Sequence, residues 1–305
     1  MSKADSIKAK IRNIAVKENK PFDYLIMHYF IERLLYRVSV SKYVDNFVLK
    51  GGLLIYILLN NDARATRDVD FLARQINNTP DELQKAFSEI CDINCDDAVN
   101  FDKSSITLER IKENADYQGV RVKLIGYLDK TKKMLQFDIG FGDVVVPKPV
   151  EMEYPSLLEM ERPQIKAYSI ESVVAEKFEA MIYLAEANSR MKDFYDIYTI
   201  CRTFDFDGRV LFEAISQTFQ RRGTPLTKSP TVFSDDFAEL SNKQTQWKAF
   251  QKRIQVATDI DFAGAIITIK EFLLPIYDHI LQEDEFFGNW KHDETIWKFL
   301  CYNNN

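Results

Sequence analysis

Glycine and proline are scarce in this chain of 305 residues, 10 and 9 respectively, so there is little from which to build long irregular stretches. Histidine is scarcer still, and His28, His279 and His292 stand apart from one another. The four cysteines, Cys91, Cys95, Cys201 and Cys301, are too few and too scattered for a disulfide framework. Cys91 and Cys95 could share a helix face, but no second Cys or His pair lies near them, which argues against a four-ligand zinc site. No apolar run approaches the ~20 residues of a membrane span. The opening MSKADSIKAKIRNIAVKENK mixes charged and apolar residues without a signal-peptide core, so the expected location is cytoplasmic and reducing, with no membrane partner. Positive charge is not in excess either: 40 Lys and Arg stand against 46 Asp and Glu, for a net charge of −6. That excludes a globally basic nucleic-acid coat and leaves only local basic patches.

Core-forming residues are plentiful. Hydrophobic residues make up 46% and aromatics 13%, with 22 Phe and 14 Tyr, which excludes a disordered or fibrous chain. The length suits one large or two moderate domains. Residues 1–40 read as two helices. Ile7, Ile11, Ile14 and Ala15 mark the first, and Leu25, Ile26, Tyr29, Phe30, Arg33, Leu34 and Arg37 follow Pro21 at helical spacing in the second. The texture then changes. Phe47-Val48-Leu49 is a short apolar run stopped by Gly51-Gly52 and followed by a helix through Leu53–Leu59. Asp68–Leu72 reads as a strand and Pro80–Ile90 as a helix. Ser105–Ile111, Val120–Leu128 and Met134–Phe141 are strands, the last two showing a period of two. From Ser169, a suitable N-cap, the pattern is helical: Ile170–Ala187, Met191–Arg202, Val210–Phe219, Gln244–Val256 and Ala263–Gln282. Arg221–Pro230, with its Gly and Pro residues, is the clearest loop. The expectation is an α/β half over 1–165 and a helical half over 166–305.

Three Asp-x-Asp strings compete for attention: Asp68/Asp70, Asp205/Asp207 and Asp259/Asp261. On a strand, carboxylates at i and i+2 share a face about 6.6 Å apart and can share a hard cation such as Mg²⁺. The pattern alone is weak, since a chain of this length holds about one by chance. Context separates them. Only Asp68/Asp70 follow a strand–Gly-Gly–helix unit, where glycine lets backbone N–H groups approach a phosphate and Lys50 stands beside the turn. Asp259/Asp261 lie before a helix that they are placed to cap, and Asp205/Asp207 precede Gly208 in an inter-helix turn. Asp138, mid-strand among apolar neighbours, is paired, metal-bound or on a wet face. Asp143, beyond Gly142, reads as a turn residue. Lys177 and the string Arg190–Asp196 carry charge into the helical half. Asp193 and Asp196 share a face there, and inter-helix salt bridging is the ordinary explanation. The P-loop and dinucleotide-binding fingerprints are lacking.

In order, these pieces resemble the AbiEii/AbiGii-type nucleotidyltransferase toxins of the minimal nucleotidyltransferase superfamily. The resemblance rests on Phe47–Gly52, Arg64-Ala65-Thr66-Arg67-Asp68-Val69-Asp70-Phe71, Phe137-Asp138-Ile139, Glu176-Lys177 and Lys192-Asp193-Phe194-Tyr195-Asp196, and covers roughly residues 40–205. It implies a mixed α/β sheet with flanking helices, followed by an all-helical C-terminal half that completes the active site. It implies that Gly51-Gly52 face phosphate, that Arg64 and Thr66 line the same site, and that Asp68 and Asp70 hold metal, with Asp138 as third carboxylate. Lys177 would grip the triphosphate, Asp193 would be an essential acid and Asp196 would accompany it. Lys50 would take up further phosphate charge. Gly52 stands where the broader superfamily has Ser, and the spacing to Asp138 is long. The activity implied is Mg²⁺-dependent transfer of NMP from an NTP to RNA, notably the tRNA 3′ end, by a toxin with a separately encoded antitoxin. Transfer to a protein or small molecule, or a silent nucleotide-binding module, are the alternatives. Lys3, Lys8, Lys10, Arg12 and Lys17, then Lys130, Lys132 and Lys133, then Arg221, Arg222 and Lys228 are basic clusters open to such an RNA.

Overall fold

Ser2 and Asp5 close a reciprocal capping box: the Ser2 hydroxyl accepts from the Asp5 amide at 3.1 Å and the Asp5 carboxylate from the Ser2 amide. It starts α1 (Lys3–Lys17), which buries Ala4, Ile7, Ile11 and Ala15. The computed structural model of the protein describes residues 2–59, 64–114, 117–254 and 260–299. It falls into two units. The first holds Met1–Ile57, Thr66–Asp143 and Pro149–Tyr168; the second holds Leu58–Ala65, Val144–Lys148 and Ser169–Asn305.

In the first unit α2 (Phe22–Ser39) is buried on nearly every side, and the stripe that carries Leu34 and Phe30 also takes Arg33 and Arg37 inside. A buried guanidinium needs acceptors. Arg37 finds both oxygens of Asp97, at 2.6 and 3.1 Å, and the carbonyls of Ile93 and Val99; Arg33 finds Glu32 and the Glu161 carbonyl. The elements that follow are β1 (Phe47–Lys50), α3 (Gly51–Leu59), β2 (Val69–Ala73), α4 (Pro80–Cys91), β3 (Val99–Asn114), β4 (Tyr117–Leu128), β5 (Thr131–Phe141), β6 (Val150–Glu153) and β7 (Gln164–Ala167). The strands form one mixed sheet in the order β3-β4-β5-β2-β1-β7-β6. β2 runs parallel to β5 and β1 parallel to β7, while the other pairs are antiparallel.

The expected strand at Ser105–Ile111 is the middle of a longer one, and β5 starts earlier than its apolar run, because a two-residue turn with Asp129 at φ 54° returns the chain from Leu128 to Thr131. One face of the sheet is aromatic. Phe47, Phe71 and Phe137 lie side by side on β1, β2 and β5, and Phe87 of α4 packs on Phe47 and Phe137 with ring centroids 5.5 and 5.6 Å away. The alternation that turns these residues to the core turns Asp70, Asp138 and Arg121 to the other face.

The second unit is mainly helical: α5 (Ile170–Leu184), α6 (Met191–Cys201), α7 (Gly208–Arg222), α8 (Asp235–Glu239), α9 (Ser241–Ile254) and α10 (Phe262–Leu281). Ser169 caps α5 through the Ser172 amide, as its position predicts. Gly223 ends α7 in the left-handed conformation, φ 63°. Helical periodicity misses one feature here, a small antiparallel sheet of β8 (Phe206–Asp207), β9 (Gly288–Lys291) and β10 (Ile296–Phe299). Trp290 and Trp297 pair across β9 and β10 and pack on Phe272 of α10, so aromatic burial holds a hairpin too short to show a strand pattern.

Candidate active site

β1 delivers the chain into a turn only glycine can make. Gly51 has φ 67°, and a β-carbon there would lie 2.0 Å from Oδ2 of Asp70. The turn opens α3, whose first N–H groups lack intrahelical acceptors and carry partial positive charge. Asp70 is opposite Lys50 in the antiparallel β1–β2 register and level with Asp138 in the parallel β2–β5 register. Asp68 is exposed and immediately precedes β2 rather than lying within it.

Lys50 is almost wholly buried. Its ammonium is 2.9 Å from Oδ2 of Asp143, and those two side chains are 6% and 3% exposed. It also lies 5.7 Å from the Tyr168 ring centroid. Asp143 is therefore more than the turn residue that its place after Gly142 suggests. Asp138 occupies the less buried face of β5 and is paired there: Nε and Nη2 of Arg121 each donate to one of its oxygens at 2.8 Å. The hydrogen bond to Asp138 raises the Arg121 pKa despite opposing burial, and the charges of Asp138, Glu109 and, least, Asp68 add to the effect.

The segment leading into β2 is pinned by α2. The His28 ring contacts the Thr66 carbonyl at 3.0 Å through Nε2, and Arg67 lies 3.5 Å from Asp23. Thr66 is buried, as is His28, whose pKa burial pushes down to about 4. A neutral His28 donates Nε2–H to that carbonyl.

The second unit gathers Arg64, Lys177, Asp193 and Asp196. Arg64 grips Asp196 in a two-pronged pair, Nε–Oδ1 3.0 Å and Nη2–Oδ2 3.1 Å. Lys177 of α5 stands 2.9 Å from Oδ1 of Asp193 and 2.8 Å from Oδ2 of Asp196, both on α6. Arg190 adds a charge contact to Asp193 at 2.6 Å, without the alignment of a hydrogen bond. Asp193 and Asp196 are completely buried and Lys177 nearly so. Burial works against every charge here, yet Asp193 and Asp196 raise the Lys177 pKa, and Lys177 followed by Arg190 lowers that of Asp193. Lys177 and Asp193 are thereby held as an ion pair. Lys243 of α9 supports it from behind by donating to the carbonyls of Glu186 and Asn188 at 2.6 Å each, which fixes the turn before α6.

Of the residues singled out by motif, Lys50, Gly51 and Asp70 adjoin one another with Asp138 beside Asp70, and Arg64 joins Lys177, Asp193 and Asp196. Arg121, Asp143, His28 and Lys243 were not singled out. Their partners lie far away in sequence, and only strand register or helix packing reveals them. The rival Asp strings have ordinary duties. Asp207 and Asp261 are N-caps of α7 and α10, and Asp205 binds Lys291 and His292; Asp259 lies outside the described residues. Several basic-cluster residues are likewise paired, Lys3 with Asp96, Lys8 with Asp129, Lys133 with Asp23 and Arg222 with Glu179. Among the described residues no three His, Cys, Asp or Glu side chains form a group able to hold a metal ion. No described helix is long and apolar enough to cross a membrane.

A search of curated proteins returns no match. Among solved structures the chain is similar to MenT4, a nucleotidyltransferase toxin of Mycobacterium tuberculosis, with a TM-score of 0.52 and 16% identity over 91% of this chain and 99% of that one. JHP933 of Helicobacter pylori also aligns, with a TM-score of 0.46 and 13% identity over 86% of this chain and 94% of that one. The first likeness supports the fold, a mixed sheet with flanking helices and a helical C-terminal region. The sequence itself matches the family described as "Nucleotidyl transferase AbiEii toxin, Type IV TA system" over residues 33–280, well over half its length. With the glycine turn against Asp70 and the buried Lys177–Asp193–Asp196 cluster standing on the segments that carry the motifs, the chain belongs to the AbiEii family of nucleotidyltransferase toxins of type IV toxin–antitoxin systems.

Proposed function

We propose that the enzyme transfers a nucleoside monophosphate from an NTP to an RNA acceptor, with the tRNA 3′ end the first candidate and Mg²⁺ as the cation. The observation that carries this reading is the Gly51 turn, which brings a helix N-terminus to the Asp70 carboxylate with no room for a side chain between them. A phosphate suits the first and a divalent cation the second. Asp68, exposed, and Asp70 offer the hard oxygen donors that Mg²⁺ prefers. When bound, the cation would offset charge on the reacting phosphates.

Transfer forms a bond from the acceptor oxygen to the α-phosphorus while the bond to the bridging α–β oxygen breaks and pyrophosphate leaves. The acceptor hydroxyl loses its proton in the process. In this reading the chain contributes positioning and charge. The amides of Gly51 and Gly52 bind phosphate oxygens, Thr66 and Arg64 line the nucleotide, and Lys50 and Lys177 answer triphosphate charge. An ammonium has three N–H donors, and Asp193 and Asp196 account for two on Lys177. Asp193 then serves to keep Lys177 charged and oriented, and Asp196 orients Arg64. Location in the cytoplasm and neutralisation by a separately encoded antitoxin complete the proposal.

The test is incubation of the chain with each α-labelled NTP, Mg²⁺ and total tRNA. Label on tRNA supports the reading. Label on a protein or small molecule redirects the acceptor, and nucleotide binding without transfer to any acceptor overturns the catalytic assignment.

A further inference from the structure

The segment 185–190, which joins α5 to α6, is poorly held by its own residues. Ala185 stands at φ 45°, in the region that favours glycine. Arg190, the N-cap of α6, makes no side-chain capping bond, and Nδ2 of the wholly buried Asn188 has no partner among the described residues. Yet this segment decides where α6 begins, and so where Asp193, in its first turn, meets Lys177 of α5. What holds it comes from α9. The Lys243 ammonium donates to the carbonyls of Glu186 and Asn188 at 2.6 Å each and lies 5.4 Å from the Phe237 ring centroid. Asn188 passes the constraint on, its Oδ1 accepting from the Arg190 amide at 2.8 Å. Lys243 is 2% exposed, and burial lowers its pKa against the charge of Glu186. Its hydrogen bonds go to carbonyls and not to a carboxylate, so for packing alone an apolar side chain would serve better.

We infer that Lys243 is a positioning residue for the transfer: by pinning the carbonyls of Glu186 and Asn188 it sets α6 against α5 and thereby aims the Lys177 ammonium at the triphosphate. The inference rests on the proposed role of Lys177, and adds to it a residue that acts through the turn rather than by contact.

The experiment measures, by calorimetric titration, the affinity of the full-length chain for each of the four NTPs with Mg²⁺ and for the corresponding NMPs. Lys243→Met should weaken NTP binding about tenfold and leave NMP binding unchanged, because a monophosphate lacks the β- and γ-phosphates that Lys177 answers. In Lys177→Met/Asp193→Asn the aimed ammonium is gone, so adding Lys243→Met there should cost no further NTP affinity. Circular dichroism checks the fold of each variant, and Lys243→Gln carries the same comparison if the methionine variant does not fold. NTP and NMP affinities that fall together, that both stay at wild type in a folded variant, or that fall further in the Lys177→Met/Asp193→Asn background would overturn the inference and leave Lys177 in its role. A Lys177→Met/Asp193→Asn variant that keeps the wild-type ratio of NTP to NMP affinity would instead remove Lys177 from the triphosphate.

Discussion

A β-carbon on Gly51 would lie 2.0 Å from Oδ2 of Asp70, well inside van der Waals contact. The closeness comes from two independent constraints, the φ of 67° at the strand-to-helix turn and the antiparallel register that sets Asp70 opposite Lys50.

Gly51→Ala should therefore abolish nucleotidyl transfer, because either the turn or Asp70 must move. Gly223→Ala is the matched control. It has a similar φ of 63° but nothing within 4 Å of the added carbon, so it should cost only about 1 kcal/mol and retain activity. Urea unfolding alongside transfer assays separates the two. Equal activity loss in both would show that backbone strain, and not proximity to Asp70, is responsible.

Asp68→Ala and Asp261→Ala should have opposite effects. Asp68 is exposed, so its removal should stop transfer and leave the melting temperature in place. Asp261 caps α10 through the Gly264 amide at 2.8 Å, so its removal should cost about 1 kcal/mol of stability and leave turnover unchanged. Activity in the Asp68 variant at the wild-type level would refute the assignment by context.

Lys177→Ala is expected to damage the fold as well as the reaction. It leaves Asp193 with Arg190 and Asp196 with Arg64, but strips a buried ammonium from between them. Breaking such a cluster costs about 3–5 kcal/mol. Lys177→Met paired with Asp193→Asn should recover much of that stability and none of the transfer. Thermal unfolding of the single and double variants is the measurement; recovery of activity in the double would remove Lys177 from the site.

Acid should weaken the first unit through His28. Its pKa falls from 6.5 to about 4 on burial, so the folded state favours the neutral ring. The stability this gives is full above pH 6.5 and is lost as the pH falls toward 4, about 3 kcal/mol over that window. His28→Gln, with an amide able to donate to Thr66, should flatten this part of the stability–pH curve relative to wild type. Parallel curves would assign the acid sensitivity elsewhere.

What could be read in the sequence was what is local. Ser169 before an apolar period, Gly51-Gly52 after Phe47-Val48-Leu49 and the alternation along Val120–Leu128 each fix backbone geometry within a few residues. Inter-helix salt bridging, the ordinary reading of Lys177 and Asp193, is what the structure shows. Pairings set by register or packing gave no such signal. Nothing near Asp138 points to Arg121, and nothing near Lys50 points to Asp143. Arg33 and Arg37 fit a helical stripe that reads as apolar only because Glu32, Asp97 and backbone carbonyls satisfy them. The β9–β10 hairpin was illegible for another reason. Two four-residue strands are too short for a period to register, and tryptophan packing does the work that pattern does elsewhere.

The place of β7 beside β1 sets an order on how the chain can be born. On the ribosome, Phe47–Lys50 can pair with Val69–Ala73 early, but its other flank stays bare until Gln164–Ala167 and the Tyr168 amide, which bonds the Leu49 carbonyl at 2.9 Å, have been synthesised. Contacts that distant in sequence close late. The strand that feeds the glycine turn is thus completed only after more than half the polypeptide exists, and a truncated translation product ending before residue 164 would carry the motif without the sheet that shapes it.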